Sequence, residues 1–502
     1  MPGDGEEEKP FLNIITPLTH TTRGRRRSLF AACASLSAVS LAALFVYTFW
    51  TFQATSTHVW NHEGTSQNLA DVCANYPGPH STGAPSPGEH SQNLDGESVE
   101  WEDDPLYARN YVLGEPTESY KDNLREDIQY ITSWTGAGWT NDVMTFANLV
   151  YMGLITDRVP IIPDFMPSHI GYDQAPIPFG DVFDVPRFSK SLEIPILEWR
   201  DVKNRDSEFV DELGCWSVWQ AVQSGESNPR DSGNPGFIRT DISYTRGPDW
   251  LKLIPNFEHD QHTTFWSLAT LSYPQVRAAN LVEPLPSPQH GVQLPPDEQL
   301  FCYDYGYYLT AHQPWEWEYD YSPAWNKVTQ YMRWTEGLLK IADEHIRRAL
   351  GVADGEPTPN WIALHVRHHD FKVYCGDYSE EDCFASLAVY DRRVQEVKQE
   401  LLERKNITVE HVLMTSDEDD AAWWHDVEAM GWKHIDFAAE RTEEIYGKWY
   451  PVLIDAVIQS MAHGFVGTDR STMSMLARRR VEAWQEGATR TVKWGSPGAD
   501  DH

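Results

Sequence analysis

Residues 361–371, WIALHVRHHDF, end an apolar run with one arginine, three histidines and an aspartate. Arg367 carries a permanent charge on a planar fork that matches phosphate geometry. The histidines can donate hydrogen bonds, and Asp370 can orient Arg367 or a ligand hydroxyl. The plainer reading is a surface Arg–Asp pair closing a strand. In HGFVGTDRSTMSMLARRR (residues 463–480), a strand ends in Gly467-Thr468, and Ser471, Thr472 and Ser474 then open a helix. Free N–H groups and the helix dipole favour an anion there, although Ser471 or Thr472 can also serve simply as N-caps. Two anion-compatible sites at strand ends within one half-domain favour a diphosphate. In MTSDEDDAAWW (residues 414–424), Asp417-Glu418-Asp419 has two acids flanking one residue, a spacing able to hold a divalent cation. Acids in the first turn of a helix starting at Ser416 are the preferred reading of that stretch. A fourth segment holds Gly136, Gly138 and Asn141: glycines let a backbone approach a ligand, and Asn141 can cap a helix or reach into a cleft.

The elements that must position these residues have a regular pattern in the last third. WIALHVR reads as a strand and 384–404 as a helix; VEHVLMTS as a strand and DEDDAAWWHDVEAMG as a helix; KHIDF as a strand and PVLIDAVIQSMAHG as a helix; FVGT as a strand and 472–484 as a helix. Successive strand–helix units predict a parallel sheet covered by helices, with ligands beyond the carboxyl ends of the strands. Further upstream, YITSW reads as a strand and TGAGWTN as a glycine-rich loop. Val143, Phe146, Ala147, Val150, Tyr151 and Leu154 then form a helical stripe, and RVPIIPDF returns as a strand. WEWEYDY (residues 315–321) alternates aromatic and acidic residues, which predicts a half-buried strand; a sugar-stacking surface is the sharper alternative.

The whole chain narrows the classes. Its 502 residues carry a formal charge of −35, which argues against a nucleic-acid partner. RGRRR (residues 23–27) precedes an apolar run at 28–50, long enough for a transmembrane signal anchor and longer than the ~7–15-residue core of a cleaved signal. The positive-inside rule then puts 1–27 in the cytosol and the rest in the lumen. Residues 51–125 read as a flexible stem, 126–330 as one half of the head and 331–495 as the other. Cys375 and Cys383 are close enough to pair across a short loop, and Asn406 begins a glycosylation sequon.

These segments together resemble the fucosyltransferase superfamily with its H-x-R-x-x-D element, here His365 to Asp370, and with Phe371 they are most similar to the protein O-fucosyltransferase branch. The late glycine-to-hydroxyl segment at Gly467–Arg480 and the loop with Asn141 fit as well. The resemblance implies a GT-B-like α/β fold, two Rossmann-like halves facing across a cleft. It implies GDP-β-L-fucose as donor, transfer with inversion to a protein or glycan hydroxyl, and no essential metal. Arg367 would be catalytic. His365, Asp370, Asp417, Ser471, Thr472, Gly136, Gly138 and Asn141 would bind the GDP-sugar. A type II membrane protein of the Golgi or endoplasmic reticulum is the matching location, with the membrane met through 28–50. Unlike part of that branch, the chain has no acid between Tyr130 and Asn141 to serve as base. The alternatives are a catalytically degenerate glycan-binding protein and a metal-dependent GT-A transferase using Asp417 and Asp419.

Overall fold

The computed structural model describes residues 104–501 except 172 and 305. The tail, the apolar run and the stem up to residue 103 lie outside the described residues. One expectation is corrected here. Among the described residues no helix is long and apolar enough to cross a membrane, so the single transmembrane helix of the expected fold is not supported. The fold is α/β with parallel sheets.

The first sheet is built from β1 (Tyr130–Ser133), β2 (Val159–Ile162), β3 (Leu197–Glu198), β4 (Asp211–Ser217), β5 (Thr240–Arg246) and β7 (Leu300–Tyr303). Their order is β3-β2-β1-β7-β4-β5, every pairing is parallel, and the late strand β7 sits between β1 and β4. A small pair, β6 (Thr263–Thr264) and β8 (Leu309–Thr310), lies apart from it. β1 and β4 are almost wholly buried, as parallel strands covered on both faces must be. Between β1 and β2 runs the helix Trp139–Thr156, buried through most of its length and ended by Asp157 in the left-handed region.

The second sheet contains β9 (Trp361–Val366), β10 (His411–Ser416), β11 (Gly464–Thr468) and β12 (Ala488–Val492), in the order β10-β9-β11-β12, again all parallel. The helices Leu387–Lys405, Ala421–Ala429, Tyr450–Met461 and Thr472–Gln485 connect these strands. The expected strand at KHIDF is reduced to one bridge, Leu413 with Lys433. The chain turns soon afterwards, where Asp436 accepts from the Ala439 N–H. β12, a short polar strand, takes the fourth place.

Two further expectations differ. WEWEYDY forms a 3-10 turn at Glu316–Glu318 rather than a strand, with Glu316 and Trp317 buried. Glu316 accepts the N–H groups of Ala311 and His312, so an acid takes the inner position that alternation assigned to aromatics. Residues 104–125, expected as stem, pack onto the first sheet instead. Asn123 donates to the carbonyls of Asp201 and Val202 at 3.1 and 3.2 Å, and Ser119 bonds to buried Asp211. Lys203 completes that buried cluster, 2.7 Å from Asp211.

The tryptophan content finds its use between the halves. Trp334 stacks on Phe183 and on Trp139, with ring centroids 5.0 and 6.0 Å apart. The fully buried guanidinium of Arg480 lies 4.5 Å from the Trp334 ring centroid and 5.4 Å from that of Trp484. Burial, and then the charge of Arg333, pull its pKa down to about 9. The aromatic faces supply the cation–π attraction that a carboxylate would otherwise provide.

Cys215 on β4 and Cys302 on β7 form a disulfide that joins adjacent strands across 87 residues. Closing so long a loop constrains the unfolded chain strongly. Replacing both cysteines by alanine should lower stability by about 2–5 kcal/mol, read as a reduced urea midpoint. An unchanged midpoint would show that the bridge contributes nothing.

Candidate active site

Three parallel strand tips meet at one place. β9 is central, and His365 is in register with Thr415 of β10 and Gly467 of β11. The residues just past these strands are therefore neighbours: Arg367 after β9, Asp417 after β10, Asp469 and Arg470 after β11. Arg367 meets Asp370 through Nη2 and Asp417 through Nη1, both at 2.8 Å, and its side chain is 30% exposed. Its backbone N–H donates to Thr468 Oγ1 at 3.0 Å, and that hydroxyl donates to the His365 carbonyl at 3.0 Å. With the Thr468 proton so committed, the buried Tyr390 hydroxyl, 2.8 Å away, is the donor of their shared bond. Both ends of Arg367 are thus fixed, while its outer face still meets solvent.

Asp417 does not belong to a helix cap, which corrects the preferred sequence reading. The helix starts at Ala421 with Asp420 as its N-cap. Asp417 Oδ1 instead accepts the His368 N–H at 2.8 Å, and Oδ2 faces Arg367. Asp417 and Asp419 are not paired as metal ligands either. The ligating atoms that do approach one another, within 4.8 Å, are on His369, Glu418 and Asp419. Glu418 is already engaged by the His368 ring at 2.7 Å.

His365 is buried, and its Nδ1 lies 2.7 Å from Ser474 Oγ. Burial, then the nearby Arg367 charge, lowers its pKa to about 3, so the ring is neutral at ordinary pH. It anchors the start of the Thr472–Gln485 helix to β9 rather than facing a ligand. Gly467 makes that approach possible: a Cβ there would sit 2.7 Å from the Ser474 Cβ and 2.6 Å from the Phe465 ring. Ser471 is the N-cap and accepts the Ser474 N–H at 3.3 Å. The N–H groups of the first turn have no intrahelical partner by geometry. Thr472 uses its hydroxyl elsewhere, 2.7 Å from Thr140 Oγ1 at the start of the Trp139–Thr156 helix.

That contact brings the glycine loop to the strand tips. Gly138 is the N-cap of the Trp139–Thr156 helix, so Asn141 does not cap it. Asn141 Oδ1 is buried with no hydrogen-bond partner among the described residues. Gly136 is exposed and Gly138 half-buried, and each approaches another segment closely. A Cβ at 136 would be 3.0 Å from the Asp231 carbonyl, and one at 138 would be 3.2 Å from the His169 ring. Asp142 is fully buried and accepts the Ala137 N–H at 3.2 Å, and burial raises its pKa well above the ordinary range. It braces the loop from beneath.

Sequence reasoning passed over Arg470, Thr468, Tyr390, Thr140 and His169. Arg470 has positive φ, and its guanidinium sits 5.3 Å from the Trp494 ring centroid. Trp494 stacks on Phe371, whose other neighbour is Arg367 at 5.8 Å. The Cys375–Cys383 disulfide and Phe384 pack around the same rings, which steadies the segment bearing Asp370. Two guanidinium groups therefore flank one aromatic stack. A basic residue two places after a strand and next to Ser471 was the available signal for Arg470. The others are ordinary polar residues with no spacing of their own.

Comparison with known proteins identifies the family. The family model for the GDP-fucose protein O-fucosyltransferases matches residues 130–483. The chain belongs to that family, and as such it is a glycosyltransferase. No curated protein matches. Among solved structures, the crystal structure of POFUT1 in complex with GDP-fucose is 15% identical, covering 74% of this chain and 99% of that one, with a TM-score of 0.44. NodZ alpha-1,6-fucosyltransferase soaked with GDP-fucose is 14% identical, covering 71% and 93%, with a TM-score of 0.34. Fucosyltransferase NodZ from Bradyrhizobium is 14% identical, covering 70% and 92%, with the same TM-score of 0.34.

The lowered His365 pKa has a stability consequence. The unfolded chain binds a proton at this residue below about pH 6.5, whereas the folded chain resists it down to about pH 3. This contribution is present above pH 6.5 and is lost as pH falls toward 3. Between pH 7.5 and 5, the wild type should lose about 2 kcal/mol more than His365→Gln, measured from denaturant midpoints. Parallel losses in the two proteins would contradict the assignment.

Proposed function

We propose that the protein transfers fucose from GDP-β-L-fucose to a protein or glycan hydroxyl with inversion. The observation that carries this reading is Arg367, clamped at 2.8 Å by carboxylates from two neighbouring segments, beside the N-terminus of the Thr472–Gln485 helix. Breaking the bond between sugar and diphosphate builds negative charge on the leaving phosphate. A fixed guanidinium and fixed N–H groups stabilise that charge without reorganising, which is the commonest large term in catalysis. Membership of the family supports fucose as the sugar and guanosine as the base. Asp370 and Asp417 hold the fork in orientation. His365 and Ser471 hold the helix start. The segment of Gly136, Gly138 and Asn141 brings the first half of the head to the same place through the Thr140–Thr472 contact. Two disulfides support work in an oxidising compartment such as the secretory lumen.

The test is calorimetry followed by turnover. GDP and GDP-fucose should bind and UDP should not. GDP release from GDP-fucose, with water as acceptor, should fall ~10²–10³-fold in Arg367→Lys, because a point charge cannot replace the fork. UDP binding in preference to GDP, or unchanged release by the lysine variant, would overturn the reading.

A further inference from the structure

An acceptor hydroxyl must lose its proton when it attacks the sugar, and the glycine loop contains no acid to take it. Of the carboxylates near the strand tips, Asp419 and Asp469 stand at the surface, 3.7 Å from His369 and 3.9 Å from Arg470, and the others are engaged. Asp370 and Asp417 hold Arg367, Glu418 holds His368, and Asp142 is fully buried beneath the loop. His365 is buried against Ser474. His369 faces the Asp419 carboxylate at 3.7 Å.

One ring remains. His169 lies on the segment that follows β2 and crosses the glycine loop. Its Cδ2 and Nε2 are 3.2 and 3.5 Å from the point where a Gly138 side chain would begin. A side chain at 138 would crowd the ring by a few tenths of an ångström. His169 is exposed and makes no hydrogen bond or ion pair among the described residues. It is also close enough to Arg367 and Asp370 for both charges to act on it. The ring therefore lies against the glycine loop, within electrostatic reach of Arg367.

Resting on the fucosyl-transfer reading above, we propose that His169 is the general base that removes the acceptor proton. The unprotonated ring nitrogen takes the proton from the acceptor oxygen. That oxygen forms its bond to the anomeric carbon as the bond from this carbon to the phosphate oxygen breaks. The electron pair leaves on the diphosphate, opposite Arg367, and the imidazolium later returns its proton to solvent. Desolvation lowers the His169 pKa first, and the Arg367 charge lowers it further, while Asp370 acts in the other direction. The glycine loop adds no charge against the ring. A lowered value keeps the ring neutral, and so able to accept a proton, at neutral pH.

The experiment follows GDP release from GDP-fucose with water as the acceptor, alongside calorimetry with GDP. His169→Ala should release GDP ~10²-fold more slowly, and added imidazole should restore part of the rate. In the wild type, kcat/KM should fall on the acid side with an apparent pKa below 6.5, and His169→Gln should lose that limb. An alanine variant as fast as wild type overturns the assignment. So does a slowed variant that imidazole does not rescue, or a glutamine variant that keeps the acid limb. These failures are separable from failure of the underlying reading. A wild type that binds no GDP refutes the donor, and one that binds GDP-fucose without turning it over refutes catalysis.

Discussion

The site depends on one constraint, the parallel register of β10, β9 and β11. Arg367 is useful only because Asp417 arrives on one side of it and Thr468 on the other, and each comes from the tip of a different strand. A slip of one residue in any of the three would turn its tip residue to the opposite face. The register is held by burial: all six residues of β9 and all five of β11 are buried, so a shifted pairing would put the wrong side chains against both helical layers. The same constraint explains how a chain with a net charge of −35 presents a cation. The two carboxylates that hold the guanidinium outweigh its charge at a distance, yet they fix the orientation of its fork. The helix N-terminus adds N–H donors at the same place.

The two halves meet at this place through contacts of different kinds. The Thr140–Thr472 hydroxyl contact joins the glycine loop directly to the first turn of the late helix. Two turns further along that helix, Arg480 sits against Trp334, which stacks on Trp139 next to the same loop. A buried guanidinium without an acid is costly, and its Nε and Nη2 find no hydrogen-bond acceptor among the described residues. Its retention makes sense if it fixes the angle between the helix and the loop, since two contacts about 12 Å apart, at 1.5 Å per residue, define a direction where one does not.

Much of the second half was legible because its sequence is locally consistent. WIALHV and GFVGT are short apolar runs with strong breaks after them, and the helices between carry caps and periodic apolar positions. The chemistry at the strand tips was legible for the same reason, since position at the carboxyl end of a parallel strand already restricts what Arg367 can face. Less visible was anything decided by distant partners. Asp417 followed a local helix-start rule on paper, but a cation 50 residues away claimed it. WEWEYDY had strand alternation, but Glu316 was drawn inward by two N–H groups. KHIDF had a strand's composition, but it met the outer edge of β10 through the single Leu413–Lys433 bridge. The Cys215–Cys302 pair could not be read, because connectivity across 87 residues depends on β7 inserting between β1 and β4. His169 carried no signal, as its significance comes from a glycine on another segment.

The most direct test of the account is a crystal structure of the head with GDP. The diphosphate oxygens should lie within about 3.2 Å of the Arg367 guanidinium and of the first-turn N–H groups that follow Ser471. A nucleotide bound with its phosphates away from either group would contradict the claim that strand tips and helix start form one site.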